Sequence, residues 1–237
     1  MKSLVIRPKF DDVTGYSYRW AEDTVQVLRP QGEVCDLGGG VVARGTVHEC
    51  IGRDDPFFVV HYDHGEEEAW MGGPEERVIK IEDAPLLSGR VVYTMNCLSA
   101  KRLGAEAWKK GAIVYVGYAE VFAFMPEEED LFRQAASHGL RLYVAEGVRD
   151  LPTIKAKMVE KYDEMIGQAK SYWTQIWLTH DRDALRVIAD GVDEPKEECP
   201  VSRTIEFIFG RTVLEKLRGI RDSLYMRMAL IFILVKL

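Results

Sequence analysis

The chain has 237 residues, 47% of them hydrophobic, and a formal net charge of −7. That is enough apolar mass for a large α/β core with an appended helical part. The acidic balance suits a phosphate backbone poorly and excludes nucleic acid as the default partner. Cys35, Cys50, Cys97 and Cys199 are widely spaced, with no CxxC and no zinc-like cluster with histidine. A disulfide framework and a structural metal are therefore not expected. A strand-like run starts at Ser3 with no leader-like segment before it, so the expected location is cytoplasmic.

In chain order, residues 4–8 read as a first strand ended by Pro8. A polar loop with Asp11 and Asp12 follows, then helical spacing through Trp20, Thr24, Val27 and Leu28. Residues 33–37 read as a second strand, Gly38-Gly39-Gly40 as a turn, and residues 41–51 as a helix. The run Phe57-Phe58-Val59-Val60-His61-Tyr62 leads into Asp63-His64-Gly65 and an acidic, glycine-rich loop. Residues 78–81 read as a short extra strand. Residues 90–97 form the next strand, ending at Cys97, with a helix expected over 98–110, and residues 112–118 form another strand. Short, continuous apolar runs alternating with helices predict a mostly parallel sheet covered on both faces. Beyond Tyr118, an acidic run from Glu127 to Asp130 opens a helix, residues 151–177 carry one long helical stripe, and 179–190 read as a further helix. The nearly apolar residues 226–237 fall short of the ~20 needed to span a bilayer, so no membrane role is expected and a buried helix running into a last strand is. The abrupt apolar end suggests that further sequence follows Leu237.

Ligands of such sheets sit at the carboxyl ends of the strands, where His64 and Cys97 both fall. A helix starting just after Cys97 would stabilise its thiolate and offer N–H groups to an oxyanion. Gly65 lets the backbone approach a substrate. A second signal is Gly38-Gly39-Gly40-Val41-Val42-Ala43, which fits G-x-G-x-x-A between a strand and a helix and would indicate a dinucleotide site. The acidic run from Glu127 could bind calcium, although no cofactor is required.

The ordered set Tyr62-Asp63-His64-Gly65, then Val91 through Ser99 around Cys97, then Gly111-Ala112 through Gly117-Tyr118 resembles the caspase/gingipain superfamily of cysteine peptidases, nearest its gingipain-like and CHAT-like members. The resemblance implies an α/β fold, a three-layer α/β/α sandwich with a mostly parallel central sheet and an extra helical region. It implies a core over residues 1–125, a helical extension or insertion over 126–200, and a C-terminal helix with a possible last strand over 201–237 of the same domain. It also implies His64 as acid/base and Cys97 as nucleophile, with the backbone N–H groups of Gly65 and Cys97 as the oxyanion hole. Asp11, Asp12 and Glu120 fall where relatives that cut after Arg or Lys place pocket carboxylates. The chain departs from many members in carrying Leu98-Ser99-Ala100 where they have a turn of small residues. The expected function is thus a cysteine endopeptidase acting on a protein or peptide substrate after a basic residue. Two alternatives stay open: a catalytically inactive caspase-like regulatory or scaffolding module, and a nucleotide-binding α/β domain. The oligomeric state is open.

Overall fold

The computed structural model describes residues 1–194, which form one compact unit. The elements expected over residues 201–237, and Cys199, lie outside the described residues. The chain opens with β1 (Lys2–Arg7) and α1 (Asp12–Leu28). Helix α1 begins earlier than its apolar spacing implies because Asp11 and Thr14 form a capping box. Strand β2 (Glu33–Gly38) is followed by α2 (Arg44–Asp54) and β3 (Phe58–Tyr62). The expected loop after His64 is instead a small antiparallel sheet of β4 (Gly65–Glu66), β5 (Ala69–Met71) and β6 (Arg77–Lys80). Burial of Trp70, Val78 and Ile79 holds it against the core. Next come β7 (Val91–Met95), the short α3 (Leu103–Lys109) and β8 (Val114–Tyr118).

The region after Tyr118 corrects two helix expectations. The long stripe divides into α5 (Leu151–Gln168) and α6 (Tyr172–Ala184), preceded by α4 (Glu129–Val144). The break between α5 and α6 is fixed by Glu128, whose carboxylate accepts the Lys170 and Ser171 N–H groups at 2.9 and 3.0 Å. The expected helix over 179–190 stops at Ala184, and β9 (Leu185–Ile188) follows without a loop. Leu185, Val187 and Ile188 are buried, so the sheet edge outweighs the local helical pattern.

The main sheet has the order β2-β1-β3-β7-β8-β9. All neighbouring pairs are parallel except β8 with β9. Side chains alternate between faces along each strand. Val5, Val60, Tyr93 and Val116 pack with α1, α4, α5 and α6, whereas Leu4, Val59, Val92 and Tyr115 pack with α2, α3 and the small sheet. The result is an α/β fold with a six-stranded mixed sheet between two helical layers. Among the described residues no helix is long and apolar enough to cross a membrane.

Candidate active site

Strands β3 and β7 are parallel neighbours with Tyr62 opposite Met95. His64 and Cys97 each lie two residues beyond that pair, so both follow neighbouring strand ends at the carboxyl edge of the sheet. Gly65 completes the approach. A Cβ there would lie 2.5 Å from the Cys97 carbonyl oxygen and 2.9 Å from Asn96 Cγ. Only glycine lets the strand leaving His64 run this close to the cysteine backbone.

Cys97 does not open a helix. Helix α3 starts six positions later, at Leu103, and no side chain caps it. The intervening turn has Leu98 at φ 63° with the Ser99 N–H donating to the Cys97 carbonyl at 2.7 Å, a strained three-residue turn. The Leu98 N–H donates to Glu120 O, and the Ala100 N–H to Tyr118 O. The turn therefore hangs from the end of β8, and the expected helix-dipole stabilisation of a Cys97 thiolate has no structural basis.

A buried polar chain holds this turn from below. Trp70 Nε1–H donates to the Tyr115 hydroxyl at 2.9 Å, which donates to Ser99 Oγ at 2.7 Å. The Ser99 hydroxyl donates to Asn96 Oδ1, and Asn96 Nδ2–H donates to His61 Nδ1 at 2.7 Å. His61 Nε2–H then donates to the Met71 carbonyl at 2.7 Å and stacks on Trp70. Burial pushes the His61 pKa down to about 3, so the ring stays neutral, as this donor order requires. A satisfied buried network of this kind rigidifies what it supports, here residues 96–99. Nothing in the spacing of His61, Trp70, Asn96, Ser99 and Tyr115 reveals it.

The third strand end contributes Asp11. Its Oδ1 accepts the Thr14 N–H and caps α1, while Oδ2 lies 2.9 Å from His64 Nε2. Burial alone would raise the Asp11 pKa. The Thr14 N–H, His64 and the Thr14 hydroxyl outweigh it and hold the group below the ordinary value. The ends of β1 and β3 thus bring a carboxylate onto an imidazole, and the thiol follows the neighbouring end of β7. Both rims of the Asp11–His64 pair are about two-fifths exposed, so the contact contributes about 1 kcal/mol or less to stability.

The Cys97 thiol is half-buried and donates weakly to the Phe122 carbonyl at 3.9 Å. Burial is the main reason that its pKa is pushed up to about 11; the Phe122 contact opposes this, and the charges of Asp181 and Asp63 add to it. Those two acids are themselves unusual. Asp63 is 6% exposed and neither of its oxygens has a hydrogen-bond partner among the described residues. Burial raises it to about 8; the nearby His64 N–H, which does not reach hydrogen-bond geometry, opposes this, and the Asp11 charge adds to the rise. Asp181 is fully buried; Oδ1 accepts the Ala123 N–H at 3.1 Å and Oδ2 has no partner among the described residues. Burial holds its pKa well above the ordinary range. Asp181 reaches the site through residues 122–123, one peptide removed from the Cys97 contact. Neither acid stood out in the sequence, because the burial of a lone Asp is a tertiary property.

The other predicted positions are placed differently. Asp12 is exposed in the first turn of α1. Glu120 is half-buried, 3.7 Å from Lys101 Nζ, beside the turn that follows Cys97. In the Gly38–Ala43 turn, the first helical N–H of α2, that of Arg44, is taken by Glu76 Oε1 at 2.7 Å, and Val42 N–H is taken by Gly72 O. A carboxylate of the chain itself occupies the place where a dinucleotide phosphate would sit. In the acidic run, Glu128 holds the α5–α6 break, Glu129 accepts Trp20 Nε1–H at 3.0 Å and Asp130 pairs with Arg133. The Cys35, Cys50 and Asp54 side chains cluster away from these residues, on β2 and α2.

Neither the protein-family models nor the curated protein sequences compared with this chain give a match.

Proposed function

We propose that the chain is a caspase/gingipain-like cysteine endopeptidase that cuts after a basic residue. The observation that supports this reading is the β3–β7 register, which has His64 and Cys97 each two residues past paired strand ends, with Asp11 on the His64 ring. The resting thiol keeps its proton, because burial raises its pKa. Cys97 Sγ attacks the peptide carbonyl as its proton passes to His64. The tetrahedral oxyanion rests on the N–H groups of Gly65 and Cys97. His64 then protonates the leaving amine, and water hydrolyses the thioester by the reverse route. Asp11 orients His64 and stabilises its imidazolium, so its carboxylate is spent on the histidine and on the helix cap rather than on a pocket. Asp63 and Asp181 are buried acids that burial keeps protonated; a substrate guanidinium or ammonium reaching them would favour their charged form, since among the described residues each carries an oxygen without a hydrogen-bond partner. Asp12 and Glu120 remain at the rim.

The test is covalent labelling by peptide chloromethyl ketones ending in Arg or in Asp, on the wild type, Cys97→Ala and His64→Ala. Labelling by the Arg probe that vanishes in Cys97→Ala, and falls roughly 10²–10⁴-fold in rate in His64→Ala, is the expected result. Preference for the Asp probe would keep the peptidase and overturn the pocket. A folded chain that neither probe labels is the silent scaffolding module.

A further inference from the structure

On the face of the sheet opposite α1, at the edge farthest from β9, two sulfurs meet. Cys35 Sγ on β2 and Cys50 Sγ on α2 are 3.0 Å apart and unbonded. That is roughly 1 Å longer than a covalent S–S bond of ~2.05 Å. Side chains of an edge strand and of the helix packed over it can close such a gap by small rotations without moving either backbone element far. Cys35 is half-buried and Cys50 is buried. The Arg53 guanidinium lies 3.9 Å from Cys50 Sγ, a position that stabilises negative charge on that sulfur. Asp54, the nearest carboxylate, is held by Arg53 Nε and Nη2 at 3.0 and 2.8 Å. A metal ion would have to displace that pair to recruit a third ligand, so the arrangement fits a dithiol better than a metal centre.

We propose that Cys35 and Cys50 form a reversible disulfide site, oxidised by a hydroperoxide, that ties the edge strand β2 to helix α2. One sulfur attacks the hydroperoxide O–O bond, giving a sulfenic acid and releasing water or an alcohol. The second sulfur displaces the sulfenic oxygen as water, forming S–S. Both thiol protons leave in these products, the two thiols lose two electrons and the peroxide gains them. Burial raises the Cys35 thiol to about 12, so it stays protonated at neutral pH and closure is slow unless peroxide is abundant. The site shares no residue with the proposed dyad and stands whether or not the chain is a peptidase.

The experiment is treatment of the full chain with hydrogen peroxide, alkylation of remaining thiols, and peptide mapping under non-reducing conditions. The expected result is a linked peptide pair containing residues 35 and 50, lost with dithiothreitol. Oxidation should also raise Tm reversibly in the wild type and leave it unchanged in Cys35→Ser and Cys50→Ala. Two thiols that remain alkylatable, or that proceed to sulfinic acid without a link, would overturn the proposal. So would stoichiometric zinc binding, lost in either variant, that shields both thiols from peroxide.

Discussion

Two turns at the same edge of the sheet make an instructive pair. After β2, the glycine turn leads into α2, and the chain supplies its own anion: Glu76 takes the first helical N–H. After β3 and β7, the turns around His64 and Cys97 are supported from below, yet Asp63 and Asp181 are left buried with oxygens that have no partner among the described residues. The first turn matches a nucleotide motif by its letters and is self-satisfied. The second leaves two buried acids that burial keeps protonated and whose oxygens lack partners among the described residues, at the cost of about 1–3 kcal/mol for each unmet group. A ligand is best sought where a fold keeps polar groups unsatisfied, since binding then relieves a cost already present.

The contrast can be broken or sharpened by substitution. Gly65→Ala should have the largest effect, because the new Cβ would press on the Cys97 carbonyl at 2.5 Å. We expect about 1–3 kcal/mol of lost stability by denaturant titration, together with loss of active-site labelling. Asp63→Asn comes next. The folded wild type keeps its Asp63 proton to about pH 8, whereas the unfolded chain releases it near ~4. More protons are then bound folded than unfolded, so the stability of the wild type falls as pH rises across that window. The asparagine has no such slope. Its Tm advantage over the wild type should therefore widen from pH 4 to pH 8, while the preference for an Arg probe weakens. Parallel Tm curves would remove Asp63 from the pocket.

Asp11→Asn separates capping from orientation, because asparagine caps a helix about as well as aspartate. Stability should change little, and the labelling rate should fall about fivefold, the equivalent of ~1 kcal/mol for a half-exposed pair. An unchanged rate would return Asp11 to a purely structural role. The smallest effect belongs to Glu76→Gln, about 0.5 kcal/mol from the weakened interaction at the start of α2, with labelling untouched. Tight binding of a dinucleotide by that variant, measured by calorimetry, would reopen the reading of the Gly38 turn.

How far the residues alone reach can be judged element by element. The continuous apolar runs of β1, β3, β7 and β8 made the parallel sheet legible, because continuous hydrophobicity is what a strand buried on both faces requires. The same runs placed His64 and Cys97 at strand ends. The sequence by itself therefore determined the α/β layering and named the candidate pair. Three decisions belonged to tertiary structure. Residues 185–188 became a strand because the open edge of β8 offered backbone partners that a helical turn could not match. The segment after Cys97 became a strained turn, because Ser99 and Asn96 are anchored to Tyr115 and His61, residues distant in the chain. Asp11 came to His64, and Asp63 and Asp181 lost water, only when separate strands and helices closed around them. Local periodicity carries which face is apolar; hydrogen-bond partners and desolvation depend on what lies across the gap, and no spacing along the chain encodes that.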